Sequence, residues 1–205
     1  MKKTTILQSI SNMCHPLLSL TYAALLLMFF TPLQQLPLVM RWYIVGEVAF
    51  YTLLLPMICI TILYKLHIIG HWALRNRVDR AIPLGINALC YGICSYALSS
   101  HGFLPAWALA VYWGATIMSV ISWIISFWWK ISAHAMGMTA VATLSLILSI
   151  WFPSMLPLWI ALCLIVLTGF VCSIRVYLGR HTLGQVAAGS ALGASVLTIA
   201  MLYCV

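Results

Sequence analysis

The chain has 205 residues, of which 64% are hydrophobic and only 6% charged. A water-soluble protein of that length has too little interior to hide so much apolar surface, which excludes soluble classes and leaves a polytopic membrane protein. The formal net charge of +8 would suggest nucleic acid on a soluble protein; here the basic residues sit in short connections, so anionic lipid headgroups or phosphate are the expected partners.

Backbone polar groups find no water in a bilayer core, so helices are the economical way across. Apolar segments predict helices over 16–33, 42–64, 83–99, 104–128, 133–151, 156–176 and 184–204. Most approach the ~20 residues that spanning requires. The expected fold is all-α: a polytopic transmembrane helix bundle of about six to seven spans, forming one integral membrane domain over 1–205. The opening MKKTTILQSISNMCHPLLSL has a positive start and an apolar run, but no small-residue cleavage site follows, and it reads as retained.

Three connections, TPLQQLPLVMRW, SSHGFLP and WFPSMLP, are nearly uncharged, with proline and glycine marking tight turns. The connections after the second, fourth and sixth segments carry the charge: YKLHIIGHWALRNRVDRAIP, WWKISAHAMG and SIRVYLGRHTLGQ. With seven crossings these share one side with the N-terminus, and every Lys and Arg except Arg41 falls there. The positive-inside rule makes that side cytoplasmic, although a binding site on the same side would retain the same cations.

Other polar positions have plain readings. The seven cysteines contain no CxxC pair and read as small hydrophobes, Cys90 and Cys94 included. His67 and His71 are spaced i, i+4, as on an interfacial amphipathic helix. Glu47 lies within the second segment and requires a polar partner inside the bundle. Gly189 and Gly193 form a GxxxG pair suited to close helix packing.

The charged connections together offer one candidate site: Lys65, Arg75, Arg77, Asp79 and Arg80; then Lys130, Ser132 and His134; then Ser173, Arg175, Arg180 and His181. Gathered guanidinium forks and hydroxyls suit a multiply charged anion such as phosphate. Two histidines from different connections divide the labour of phosphoryl transfer, one attacking phosphorus and one protonating the leaving oxygen. Metal and cofactor are not expected. The chain has two carboxylates, Glu47 and Asp79, whereas a two-metal site wants more oxygen ligands. No GxxxxGK[ST] loop occurs.

The third charged connection resembles the last motif of the type 2 phosphatidic acid phosphatase superfamily, S-R-x5-H-x3-D. Arg175 and His181 hold the R-x5-H spacing, and QVAAGSALG is similar to the family's DVxxGxxxG tail. Ile131-Ser132-Ala133-His134 resembles the second motif, P-S-G-H, and NRVDRAIP is the poorest match, standing for the first motif, K-x6-R-P. The resemblance covers about 65–193. It implies that His181 is the nucleophile forming a phosphohistidine and His134 the acid for the leaving group. Arg175, Ser132, Arg77, Arg80 and, as a further candidate, Arg180 bind substrate phosphate. It implies a metal-independent lipid phosphatase acting on a lipid phosphate or prenyl diphosphate, with a family-like core over about 65–205, in a membrane expected to be the bacterial inner membrane. Two departures stand out. Ser173 is separated from Arg175 by Ile174, and Gln185 occupies the place of the family's Asp. A glutamine carbonyl accepts an imidazole N–H but carries no charge, so a non-catalytic or headgroup-transferring relative that binds an anionic headgroup is the alternative.

Overall fold

The computed structural model describes residues 8–204 except 10, 12 and 68–76, and for 77–80 it describes the helical backbone only. The helices are α1 (Pro16–Phe29), α2 (Leu38–Lys65), α3 (Arg77–Ser100), α4 (Ala106–Ser126), α5 (Ala133–Trp151), α6 (Leu158–Tyr177) and α7 (Leu183–Leu202). The described residues contain no strand. Six helices, α2 to α7, are long and apolar enough to cross a bilayer, as a multi-pass membrane protein requires. α1 has 14 residues, about 21 Å of rise, and is shorter than the expected 16–33. It stops where Thr31 accepts the Leu33 N–H and donates back to the Leu27 carbonyl, and where Pro32 cannot continue the ladder.

Helix starts follow two chemistries, one for each end of the bundle. α2, α4 and α6 begin after Pro37, Pro105 and Pro157, with no side-chain cap. α1, α5 and α7 begin with the side-chain caps His15, Ser132 and Thr182. The capped end is the charged end of the sequence, so it is both more polar and more tightly specified. The proline end collects aromatic contacts instead: Phe29 against Trp42 at 5.1 Å and Trp107 against Phe152 at 5.6 Å.

α5 lies at the centre and packs against α1, α6 and α7; α3 packs on α4, and α4 on α7. The closest approach is between α5 and α7. A Cβ on Gly189 would stand 2.5 Å from the Ser132 carbonyl oxygen, and one on Gly193 would overlap the Met136 carbonyl oxygen. Backbone meets backbone there, which only glycine permits. The Ser132 N–H donates to the Gln185 carbonyl at 3.2 Å and locks the register of the two helix starts. On another face of α5, Gly137 lets α1 in, with Ser19 Oγ 2.9 Å from where a Cβ would be.

Two expectations change. α3 begins at Arg77, before the expected 83, and carries Pro83 inside it; membrane helices tolerate such a proline because neighbours re-satisfy the freed carbonyl. His67 does not continue a helix. α2 ends at Lys65, and His67 sits at φ 55°, in the left-handed region that closes helix ends. The amphipathic-helix reading of His67 and His71 therefore fails at His67, and His71 lies outside the described residues. Within α2, Phe50–Leu54 forms a π-helical turn. Pro56 follows it and has no N–H to return to Thr52, so the widened turn absorbs the missing bond.

Glu47 finds its partner at the proline end. Its Oε2 lies 2.9 Å from His101 Nε2, and the His101 ring stacks on Phe103 at 5.3 Å. Arg41 is held nearby over the Phe29 ring at 5.0 Å.

Overpacking at the α5–α7 contact should destabilise by about 1–3 kcal/mol. Gly193→Ala is therefore expected to lower the thermal midpoint in detergent clearly. Gly46→Ala, with nothing within 4 Å of the new methyl, is expected to be neutral or stabilising by up to about 1 kcal/mol. Removing the Glu47 partner by His101→Ala leaves a mostly buried carboxylate unpaired and is expected to cost about 1–3 kcal/mol, read in the same thermal assay.

Candidate functional site

The turn between α6 and α7 is built by two adjacent capping devices. Gly179 takes φ 63°, its N–H bonds to the Val176 carbonyl, and the Arg180 N–H bonds back to the Arg175 carbonyl at 3.1 Å. That is a Schellman closure of α6. Three residues later Thr182 caps α7, accepting from the Gln185 N–H, while Gln185 Oε1 accepts from the Thr182 N–H at 3.2 Å. This is a complete capping box. The spacing between Arg175 and His181 is thus the spacing across one closed turn, and it sets a guanidinium from the last turn of α6 beside an imidazole at the mouth of α7.

Gln185 Oε1 also lies 3.2 Å from His181 Nδ1. The Thr182 N–H can only donate, so it fixes which end of the amide is the carbonyl. His181 Nδ1 must then carry the hydrogen. In the neutral ring this leaves Nε2 with the lone pair, the arrangement a nucleophilic imidazole requires.

His134 sits in the first turn of α5, two residues after the Ser132 cap, and is buried. Its Nε2 has no hydrogen-bond partner among the described residues. The His15 ring meets it edge-on, with centroids 5.4 Å apart. His15 accepts the Leu17 N–H at Nδ1, so its neutral ring presents an Nε2–H. Burial first, and then the nearby Arg175 guanidinium, hold the His15 imidazole below its ordinary range. Arg175 reaches Ser11 Oγ with Nη1 at 3.3 Å, while its Nε is buried with no partner among the described residues. Lys130 ties the α4–α5 connection to the α6–α7 turn by donating to the Arg180 carbonyl at 2.8 Å.

His15, Lys130, His134, Arg175, Arg180 and His181 line one cavity of about 370 Å³, within the range of small-ligand sites. Among the described residues, no carboxylate lines it. Below this basic mouth the walls become apolar, with Leu20, Val111, Met118, Ala140, Leu144 and Leu197. A cavity with cations at the mouth and hydrocarbon within suits an amphiphilic anion.

The candidates from sequence divide as follows. His134, His181, Arg175 and Arg180 come together on the cavity. Gln185 stands behind His181 as its orienting acceptor. Ser132 is fully buried, its hydroxyl caps Ala135, and it does not line the cavity. Ser173 is exposed and bonds the Gly169 carbonyl; two residues from Arg175 on a helix, it faces away. The side chains of Arg77, Asp79 and Arg80, and all of Arg75, lie outside the described residues. Sequence reasoning missed His15 and Ser11. The signal for His15 was present: a histidine directly before proline, at the start of an apolar run, on the charged side. Among the described residues no three His, Cys, Asp or Glu are placed so that they could hold a metal ion together.

Gln185→Leu removes the acceptor shared by His181 and Thr182. We expect a loss of about 1 kcal/mol from the cap and a change in the His181 tautomer, with ring ¹⁵N shifts expected to report Nδ1–H in the wild type and a mixture in the variant. A second expectation concerns pH. Because the folded His15 pKa is depressed, protons bind the unfolded chain first as pH falls below about 6.5. Stability is therefore expected to decline with acidification through that window, and His15→Asn should flatten the decline in thermal unfolding across pH.

Comparison with protein-family models, with curated proteins and with solved structures finds no match, so the functional reading rests on the residues themselves.

Proposed function

We propose that the chain is a membrane phosphatase resembling the type 2 phosphatidic acid phosphatases. It removes phosphate, without metal, from a lipid phosphate or prenyl diphosphate through a phosphohistidine, in a bacterial inner membrane. The observation that carries the reading is the shared cavity: His181, tethered through Nδ1, and buried His134 line it together with Arg175 and Arg180. The phosphatase-like core runs over about 65–205.

The chemistry follows from those positions. Arg175 and Arg180 hold the phosphate oxygens, and desolvation strengthens each contact. The His181 Nε2 lone pair attacks phosphorus. The phosphorus–oxygen ester bond breaks with its electron pair on the leaving oxygen, which takes a proton from His134. Water then attacks the phosphohistidine and gives a proton to His134. The P–N bond breaks and inorganic phosphate leaves. Gln185 holds the ring throughout as a positioning residue. Arg77 and Arg80, in the first turn of α3, are the further phosphate-binding candidates from sequence, as is Ser132, whose part here is to start the helix that carries His134.

A second reading has its own observation. Gln185 completes a capping box, work that needs no catalysis, and it brings no charge to stabilise a cationic ring. A relative that binds or transfers an anionic headgroup fits that fact.

Release of inorganic phosphate from phosphatidic acid and prenyl diphosphates in mixed micelles decides between them. The phosphatase reading expects turnover that survives a chelator within about twofold, and losses of at least about 10³-fold in His181→Ala and His134→Ala. Gln185→Asp should change the rate modestly. An inert wild type that gains activity on Gln185→Asp, by up to about 10⁴-fold, establishes the binder instead.

A further inference from the structure

The cavity wall is not uniformly apolar beneath its basic mouth. Ser122 of α4 lines it and is 1% exposed. Other serines of the bundle turn their hydroxyls onto a carbonyl three or four residues earlier: Ser95, Ser99, Ser145, Ser149 and, in α4 itself, Ser126 all do so. That back-bond is the ordinary way to satisfy a helix hydroxyl without water. Ser122 does not make it, and its Oγ has no partner among the described residues. Asn87 of the neighbouring α3, which also lines the cavity, is in the same condition: its Oδ1 is buried and unpartnered among the described residues while its amide lies against the Tyr91 hydroxyl. Tyr91 in turn donates to the Pro16 carbonyl at 3.3 Å, which fixes the Asn87 wall against the first turn of α1, next to His15.

Depth follows from helix rise. Ser126 ends α4 near the mouth, and Ser122 lies four residues inward, about 6 Å. An unpaired hydroxyl and an unpaired amide oxygen buried in a low-dielectric wall are unfavourable unless the occupant answers them. Pure hydrocarbon at that depth would leave both unsatisfied. An occupant whose phosphate is followed, within a few bonds, by ester oxygens or a hydroxyl would satisfy them. The Ser122 hydroxyl donates to an ester carbonyl, and Asn87 Oδ1 accepts from a hydroxyl or a bridging water. Ser119 adds one more hydroxyl to the lining nearly a turn further in, and beyond it Ala140, Leu144 and Leu197 make the wall hydrocarbon.

We propose that Ser122 and Asn87 form a polar collar that reads the glycerol linker of a phosphoglycerolipid, so that this cavity takes such a lipid in preference to a prenyl phosphate, whose phosphate is joined directly to hydrocarbon. The proposal rests on the functional reading above for the placement of phosphate at the basic mouth.

The experiment measures both binding and turnover, with dioleoyl phosphatidic acid and geranylgeranyl phosphate as probes in mixed micelles. Wild type is expected to favour phosphatidic acid by about tenfold or more in binding. Ser122→Ala and Asn87→Leu should each lose most of that preference by weakening phosphatidic acid alone. Ser145→Ala, whose hydroxyl is internally bonded away from the cavity, should keep it. Thermal unfolding verifies that the variants are folded, and Ser122→Cys provides a second conservative substitution if Ser122→Ala is not. Selective binding with no phosphate release from either lipid supports the collar and overturns the phosphatase. Turnover with equal binding of the two lipids, or with preference for the prenyl phosphate, overturns the collar and leaves the phosphatase standing. A preference that survives both substitutions also overturns the collar.

Discussion

The contact between the backbones of α5 and α7 is the constraint on which the rest depends. Gly189 and Gly193 admit the carbonyls of Ser132 and Met136 at distances that any side chain would forbid. With the helices so close, the Ser132 N–H reaches the Gln185 carbonyl, and the two helix starts are held in one register. His134 belongs to one start and His181 lies just ahead of the other. Their joint presence on a single cavity is therefore a result of helix packing that starts in the same turns that carry the two histidines.

That geometry concentrates positive charge at one end of the bundle. Lys130, Arg175 and Arg180 gather there with three histidines, and among the described residues no carboxylate lines the same cavity. Part of the repulsion is relieved locally, since Lys130 is turned onto the Arg180 carbonyl and Arg175 onto Ser11. Carbonyls and hydroxyls offset a cation only in part, so the cavity keeps a net positive character among the described residues. The opposite end solves a smaller electrostatic problem inside the chain, by pairing Glu47 with His101.

Much of this was legible in the sequence because it is encoded locally. Span α5 was expected over 133–151 and runs Ala133–Trp151, since a capping serine and a run of apolar residues define both limits. The GxxxG pair announced close packing, and the charged connections announced a common side. What escaped reading was what depends on distant partners. Glu47 and His101 are 54 positions apart, and nothing local couples them. Ser132 looked like a ligand, yet the helix it starts claims its hydroxyl. His15 was hidden because its role is defined by His134, on a helix more than a hundred residues later. Pro83 suggested a helix start, whereas the bundle tolerates it several residues inside α3.

The oxygen of Gln185 serves two donors at once, the Thr182 amide and the His181 ring. An amide does not titrate. An aspartate in that place would weaken its hold as acid neutralised it, and its grip would vary with ionic strength. Here the aim of the imidazole is tied to the integrity of a helix start, and persists for as long as the first turn of α7 stays wound.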